Sequence, residues 1–425
     1  MQPTSYPPIL MIGLNHKVAP VEVRERLAFG PERIPLALTE LAGRGVREAV
    51  LLSTCNRTEV YAQADDLEQV ETRVQGFLAR RGSLTVEQLR RMVYIMRGKQ
   101  AALHLMQVAA GLDSLVLGEN EILGQVRSAA EMAQSAGTSG PILSALFRCA
   151  IQSGKRARSE TEIGRAEISV AGVVVEWAKQ ALGPLTDRTA LLIGAGKISS
   201  ITARALVKAG LRCIMVANRT FERAQKLAQA LHGVAVHFDA LEASLAHADI
   251  VICSTGAPHI VLHAETVTRA QQARNGRPLL VADLAVPRDA DPQIAALPGV
   301  HLTNIDDLEV VVKTSHPLTA AACQAVEAIA QQELENFCRW CAARRCASVI
   351  QALHVKAENI YRDEVEQTLR RMGPLTPHQQ TLVQALGKSI AGKLLHEPTV
   401  CLRGLPPEQD ISAYIEVVQE LYGIQ

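Results

Sequence analysis

The segment Ser53-Thr54-Cys55-Asn56-Arg57-Thr58-Glu59 sets a thiol and a guanidinium two positions apart, between two strand-like runs at residues 49–52 and 59–64. A nearby cation favours the thiolate, and a loop leaves it accessible, so Cys55 has the features of a nucleophile. Arg57 would be its activator or a clamp for a substrate carboxylate. A lone cysteine is as readily an inert core side chain, and these seven residues leave that choice open.

A second constellation lies further on. Gly194, Ala195, Gly196, Lys197, Ile198 and Ser199 follow a short apolar run and open a helical pattern. This is the dinucleotide-binding turn in its required context. The first glycine permits the tight bend, the second lets the backbone approach a pyrophosphate, and the helix N-terminus offers N–H groups to that anion. Ser199 stands where a third glycine is usual; it is small enough for close helix–strand packing. The next strand ends in Asn218-Arg219-Thr220, with no acidic residue to hold a ribose 2′-hydroxyl. Arg219 matches a 2′-phosphate instead, which favours NADPH over NADH. A cysteine nucleophile beside a reduced nicotinamide has a chemical logic: a thioester accepts hydride more readily than an ester, and covalent catalysis divides a hard step in two.

The elements that must position these residues read as three segments. The first carries strand-like runs at 9–14, 49–52 and 59–64 and is helical over 66–164, an α+β arrangement. The second alternates strands at 191–193, 214–217, 234–237, 250–253, 279–284 and 300–303 with helices at 198–209 and 221–231. That pattern predicts a Rossmann-like α/β domain with a parallel sheet. Beyond residue 305 strand signals vanish. Helices are expected over 319–357 and 379–395, punctuated by Pro374, Pro377, Pro398, Pro406 and Pro407, and the tail would be a small domain or an assembly module.

Composition bounds the function. Lys and Arg number 44 against 43 Asp and Glu, so nucleic acid would have to be met by local patches. Candidate patches are Arg80, Arg81, Arg90, Arg91, Arg97 and Lys99; Lys155, Arg156, Arg158 and Arg165; and Arg339, Arg344, Arg345, Arg370 and Arg371. Aromatic residues are 3%, which disfavours stacking platforms for single strands. No apolar run is long enough for a membrane span, and residues 1–8 lack the features of a secretory signal. The nine scattered cysteines suit a reducing cytosol, so a cytoplasmic protein is expected. Cys338 and Cys341 have CxxC spacing inside a helical run and read as structural, and no metal site is expected.

Taken together, the motifs resemble the glutamyl-tRNA reductase family. They are residues 13–29 (GLNHKVAPVEVRERLAF), 51–61 (LLSTCNRTEVY), 111–126 (GLDSLVLGENEILGQV), 155–172 (KRARSETEIGRAEISVAG), 191–199 (LLIGAGKIS), 217–220 (ANRT), 283–289 (DLAVPRD) and 304–309 (NIDDLE). The resemblance implies a catalytic, glutamyl-tRNA-binding domain over 1–163, an NADPH domain over 164–312 and a helical dimerisation domain over 313–425. The first two would be strung along a long helix in a V-shaped homodimer. It implies NADPH-dependent reduction of glutamyl-tRNA(Glu) to glutamate-1-semialdehyde through a thioester on Cys55, with His104 near the reacting carbonyl. The product would pass to glutamate-1-semialdehyde aminomutase. Thr54, Asn56, Arg57, Ser114, Glu119, Asn120, Glu121 and Gln125 fall at substrate-binding positions, with Arg57 pairing the side-chain carboxylate. Residues 194–199, Asn218 and Arg219 fall at cofactor positions. Asn120 and Glu121 depart from the family's usual Pro-Gln, and Glu121 would bring negative charge toward an anionic substrate. Without the resemblance, a small-molecule NADPH dehydrogenase that does not need Cys55, or a tRNA-binding regulatory dimer, would account for the same segments.

Overall fold

The computed structural model describes residues 7–42, 45–113, 121–164, 170–257, 259–308, 320–404 and 411–424. Four strands form the first sheet: β1 (Ile9–Asn15), β2 (Glu48–Ser53), β3 (Arg57–Gln63) and β4 (Tyr94–Arg97). Their order is β2-β3-β1-β4 and every pairing is antiparallel. The central strands β1 and β3 are buried along their whole length, which the apolar run ILMIGLN explains for β1. In β3, however, the buried residues include Arg57, Thr58 and Glu59. Charges in a central strand are expensive unless paired, so their partners matter.

The pattern predicts helix over residues 66–164, and the structure departs from it: β4 interrupts that stretch. It is a half-exposed edge strand of four residues (YIMR), too short for alternation to register.

The second sheet holds six parallel strands: β5 (Thr189–Ile193), β6 (Cys213–Ala217), β7 (Val234–Val236), β8 (Ile250–Cys253), β9 (Leu279–Asp283) and β10 (Val300–Asn304). Their order, β10-β9-β8-β5-β6-β7, is the doubly wound arrangement. Alternate residues feed two cores. Ala190 and Leu192 join Val216 and Ile252 on one face, while Leu191 and Ile193 join Val251 and Val281 on the other. The chain changes winding direction between β5 and β8, so the crevice beyond their carboxyl ends is where such a sheet takes its ligand.

Residues Ile9–Glu333 form one compact unit and the chain from Leu334 onward another. The tail is helical: Ala320–Met372, Pro377–Gly404 and Ile411–Tyr422. Pro398 does not end its helix, contrary to the sequence expectation. A helix-interior proline costs about 3 kcal/mol; here Leu395 and Leu402, on either side of it, are both buried in the tail's core with Val349, Leu353 and Ile415. Among the described residues no helix is long and apolar enough to cross a membrane.

Candidate active site and nucleotide-binding turn

The turn carrying Cys55 joins β2 to β3 and is held from within. Thr54 N–H donates to the Arg57 carbonyl at 2.8 Å, and Thr54 Oγ1 accepts from the N–H groups of Asn56 and Arg57, both at 3.1 Å. Cys55 is half-buried, and its side chain packs against the core of the six-stranded domain that includes Val174 and Leu192. Its carbonyl accepts from Arg24 Nη1 at 2.7 Å. Arg24 is itself buried; it also donates to Ala19 O at 3.2 Å and to the carboxylate of Asp306, just past β10. One guanidinium therefore ties the thiol-bearing turn to the nucleotide-type domain. Arg288, after β9, adds bonds to Glu22 at 2.9 Å and to Glu25 at 3.0 Å, on the same helix as Arg24 (Val21–Leu27). Asn56 is buried and its Oδ1 has no hydrogen-bond partner among the described residues.

Arg57 does not reach into open space. Its buried guanidinium donates to Glu59 Oε1 at 2.8 Å, to Asp113 Oδ2 at 3.0 Å and to the Asp113 carbonyl. Glu59, fully buried, is the hub. It also accepts from Tyr61 Oη (2.7 Å) and Tyr94 Oη (2.7 Å), and it pairs with His104 Nε2 at 2.9 Å. Burial alone would raise the Glu59 carboxyl, but Arg57 and His104 outweigh it and hold it far below the usual range. Burial would lower Arg57, and Glu59 reverses that, so it stays charged. Tyr61 and Tyr94 are pushed up by burial and by the Glu59 charge and remain phenols. Gly13 faces Glu59 across the β1–β3 pair, and a Cβ there would lie 2.6 Å from Glu59 Cγ. Glycine at that position is what admits the carboxylate.

His104 lies on the helix Lys99–Ala110, buried, with its ring 5.6 Å from that of Tyr94 in an edge contact. An ionised Glu59 requires a proton on His104 Nε2, leaving Nδ1 for other chemistry. His104 lines a cavity of about 520 Å³ with Asn15, Lys17, Asp113 and Cys323. Cys55 does not line it: the structure joins His104 to Arg57 through Glu59, and places Cys55 against the other domain. Glu59, Tyr61, Tyr94, Asp113, Lys17 and Arg24 escaped the sequence reading. The legible sign was Glu59, a charge directly before the buried run Val60–Ala62 in β3.

Ser114, Glu119 and Asn120 lie outside the described residues. Glu121 begins the helix Glu121–Ser135, and Gln125 follows one turn later, half-buried. Glu121 is not left facing an anion alone: its Oε1 is 3.7 Å from Lys197 Nζ in the glycine-rich turn.

That turn joins β5 to the helix Lys197–Lys208. Gly194 has φ +110° and a Cβ there would be 2.4 Å from Ser254 O, so no other residue fits. Gly196 caps the helix Lys197–Lys208, and a Cβ there would meet nothing nearer than 3.8 Å. Ser199 is fully buried and donates to Ser254 O at 3.3 Å, tying helix to strand as a third glycine's absence of side chain otherwise would. Ala195 and Ile198 are half-buried beside it. Beyond the turn a cavity of about 740 Å³ is lined by Asn218, Arg219, Arg223, Asp239, Glu242 and Arg269 among others. Arg269 pairs with Glu242 at 2.7 Å, which leaves Arg219 and Arg223 facing the single carboxylate of Asp239 there. Asn218 donates to Thr220 O at 2.9 Å and shapes the loop. Arg223 was not singled out from sequence.

Five residues of the basic clusters form ion pairs: Arg80 with Glu40, Arg91 with Glu87, Arg97 with Glu71, Arg156 with Glu160 and Glu333, and Arg370 with Glu366. Arg165 is outside the described residues. Among the described residues no three His, Cys, Asp or Glu side chains gather as a metal site requires.

Comparison with known proteins bears on this arrangement. The family profile described as "Glutamyl-tRNAGlu reductase, N-terminal domain" matches residues 12–161, "Shikimate / quinate 5-dehydrogenase" matches 176–311, and "Glutamyl-tRNAGlu reductase, dimerisation domain" matches 325–424. The chain is 41% identical to the glutamyl-tRNA reductase of Moorella thermoacetica, covering 98% of this chain and 95% of that one. It is 40% identical to that of Carboxydothermus hydrogenoformans, over 98% and 93%. Among solved structures, glutamyl-tRNA reductase from Methanopyrus kandleri matches with a TM-score of 0.54 and 32% identity, covering 98% of both chains. The likeness runs along nearly the whole length of these relatives, and the chain belongs to the glutamyl-tRNA reductase family.

Proposed function

We propose that this protein reduces glutamyl-tRNA(Glu) to glutamate-1-semialdehyde with NADPH and releases the tRNA, the first step of tetrapyrrole synthesis by way of 5-aminolevulinate. The observation that carries this reading is the Arg24 bridge: it joins the Cys55 carbonyl to Asp306 and so sets the thiol beside the domain with the glycine-rich turn. A small-molecule dehydrogenase would have no use for a thiol held there.

The Cys55 thiolate attacks the carbonyl carbon of the ester between glutamate and the tRNA ribose. The C–O bond breaks, the ribose hydroxyl leaves with a proton, and glutamate is held as a thioester. NADPH, when bound, supplies a hydride to that carbonyl. Return of the electron pair to sulfur expels the aldehyde and regenerates Cys55. His104, with Nε2 fixed on Glu59, is assigned the proton transfers through Nδ1. Substrate contacts are assigned to Thr54, Asn56, Arg57, Glu121 and Gln125, together with Ser114, Glu119 and Asn120.

The nucleotide would lie with its pyrophosphate on residues 194–199. Two observations support the fit: Gly194 cannot carry a side chain, and the open space at Gly196 is what a phosphate needs. Arg219 and Arg223 would take the 2′-phosphate, the basis for NADPH over NADH. Functional divisions at 1–163, 164–312 and 313–425 follow. In the tail, Leu382, Leu386, Ile390 and Leu394 are spaced by four and more than half exposed, and the last three line a groove of about 470 Å³. Such a stripe is covered in a homodimer. A reactive aldehyde also calls for a consuming partner, assigned as glutamate-1-semialdehyde aminomutase.

The test is to mix the protein with glutamyl-tRNA carrying labelled glutamate, first without NADPH and then with it. Label bound covalently to Cys55, followed by semialdehyde, is the expected result; semialdehyde formed without any acylated Cys55 removes the thioester route.

A further inference from the structure

We infer that the helix Val21–Leu27 sets the thiol turn in register over the six-stranded domain, and that Arg24, Glu25, Arg288 and Asp306 are positioning residues for reduction of the thioester and not for its formation. The inference deepens the proposed reaction and rests on it for the two half-reactions.

The helix meets the six-stranded domain through two ion pairs of opposite polarity. Arg24 donates to both carboxylate oxygens of Asp306. Arg288 runs the other way: it donates to Glu25 through Nε at 3.1 Å and Nη2 at 3.0 Å, and to Glu22 through Nη1 at 2.9 Å. The Arg288–Glu25 pair is bidentate, which fixes angle as well as distance. Both anchors on the domain side follow neighbouring strands, β9 and β10, at the carboxyl edge where a doubly wound sheet takes its ligand. Asp306 is itself held, since its N–H and that of Asp307 donate to Asn304 Oδ1 at 2.7 and 3.1 Å. On the other side the link to the thiol turn is one bond long, from Arg24 Nη1 to the Cys55 carbonyl at 2.7 Å.

The crossed polarity decides the register. Exchanging the two pairs would set Arg24 against Arg288 and Glu25 against Asp306, and like charges at a contact repel. Arg24 is buried, and the Glu25 and Arg288 side chains are only about one-fifth exposed, so salt screens these charges less than surface ones. The two half-reactions draw on this clamp unequally. Forming the thioester calls on Cys55 and on the Glu59–His104 pair, and that pair is held by Arg57, Tyr61 and Tyr94. Reducing it requires the acyl carbon to stand within about 1 Å of its productive place against a nicotinamide on the other domain. Only the clamp spans that second distance.

Because Arg24 also bonds the turn, the test is made at Glu25 and Arg288, with Arg288→Glu, Glu25→Arg and the combined swap in the full chain. Given labelled glutamyl-tRNA without NADPH, each single variant should acylate Cys55 at close to the native rate. On addition of NADPH, single-turnover reduction should slow by about 100-fold, the scale of a misplacement of about 1 Å. The swap should recover about tenfold or more of that loss, because it restores the pair. A second readout uses neither tRNA nor NADPH. Cys55 packs against the six-stranded domain, so its alkylation by iodoacetamide, located by mass spectrometry, should be about tenfold faster in each single variant and return toward native in the swap. Acylation and reduction falling by the same factor, or reduction left at the native rate, overturns the inference. Should Arg288→Glu fail to fold, Asp306→Asn decides: reduction should slow about tenfold with acylation kept, and unchanged reduction overturns the inference. If alkylation follows the expected pattern but the native chain is never acylated at Cys55, the reaction is rejected and the clamp stands. If the native chain is acylated and reduced while neither readout responds to the variants, the clamp alone is rejected.

Discussion

The glycine-rich turn after β5 and the cysteine turn after β2 both leave a buried strand, yet they are built in opposite ways. At the first, six consecutive residues and the short loop and helix start after β6 supply the features of the proposed site: a φ of +110° at Gly194, a helix N-terminus at Lys197 and guanidinium groups at Arg219 and Arg223. At the second, the contiguous residues supply only the thiol and the shape of the bend. Its electrostatics come from Glu59 on β3, Tyr94 on β4, His104 on a helix and Asp113 beyond that helix, and its placement comes from Arg24 and Asp306. A local site can be altered one residue at a time. A site whose charges share one buried carboxylate responds as a unit.

Substitutions can break or sharpen this contrast. The largest effect is expected for Cys55→Ser, which should reduce semialdehyde formation by roughly 10⁴-fold or more, the scale for loss of a covalent nucleophile, while tRNA binding is kept; single-turnover assays check it. Glu59→Gln comes next. Removing one partner from a buried pair costs about 3–5 kcal/mol, and urea unfolding at neutral pH should register it together with a loss of turnover through His104. If Glu59→Gln were as mild as a surface change, the network would not act as a unit.

The same residue carries a pH signature. Its folded value lies far below the usual carboxylate range, so its contribution to stability is complete above the unfolded value of about 4.3 and is lost as pH falls below it. Native stability should therefore drop between about pH 5 and pH 3, and the Glu59→Gln chain should show a shallower slope in urea midpoints across that range.

On the nucleotide side the effect should be narrower. Arg219→Ala with Arg223→Ala should raise the KM for NADPH by about 10–100-fold, the loss of one or two charge-assisted contacts, with the fold and the KM for NADH little changed; equal effects on both cofactors would remove the 2′-phosphate assignment. The smallest change is expected at the point where the two sites meet. Glu121→Gln breaks only a half-exposed pair with Lys197 at 3.7 Å, and should alter stability by no more than about 1 kcal/mol; a thermal melt measures it.

The sequence alone determined whatever rests on neighbours along the chain. The parallel α/β domain followed from strands alternating with helices, the nucleotide turn from Gly194 and Gly196, and the candidate nucleophile from Cys55 on a turn between strands. The motif series also carried the family, because ordered strings of residues survive without a structure. Tertiary structure alone decided the partners. β4 was illegible because an edge strand of four half-exposed residues leaves no periodic trace, and the helix through Pro398 was illegible because distant packing, not propensity, sustains it. Arg57 is the clearest case. Its spacing from Cys55 hinted at a cation near the thiol, but the fold buries it against Glu59 and Asp113, since a charge inside a sheet must find its counter-charges wherever the chain brings them. Local conformation is written in local sequence; the cost of burying a charge is settled only across the assembled sheet.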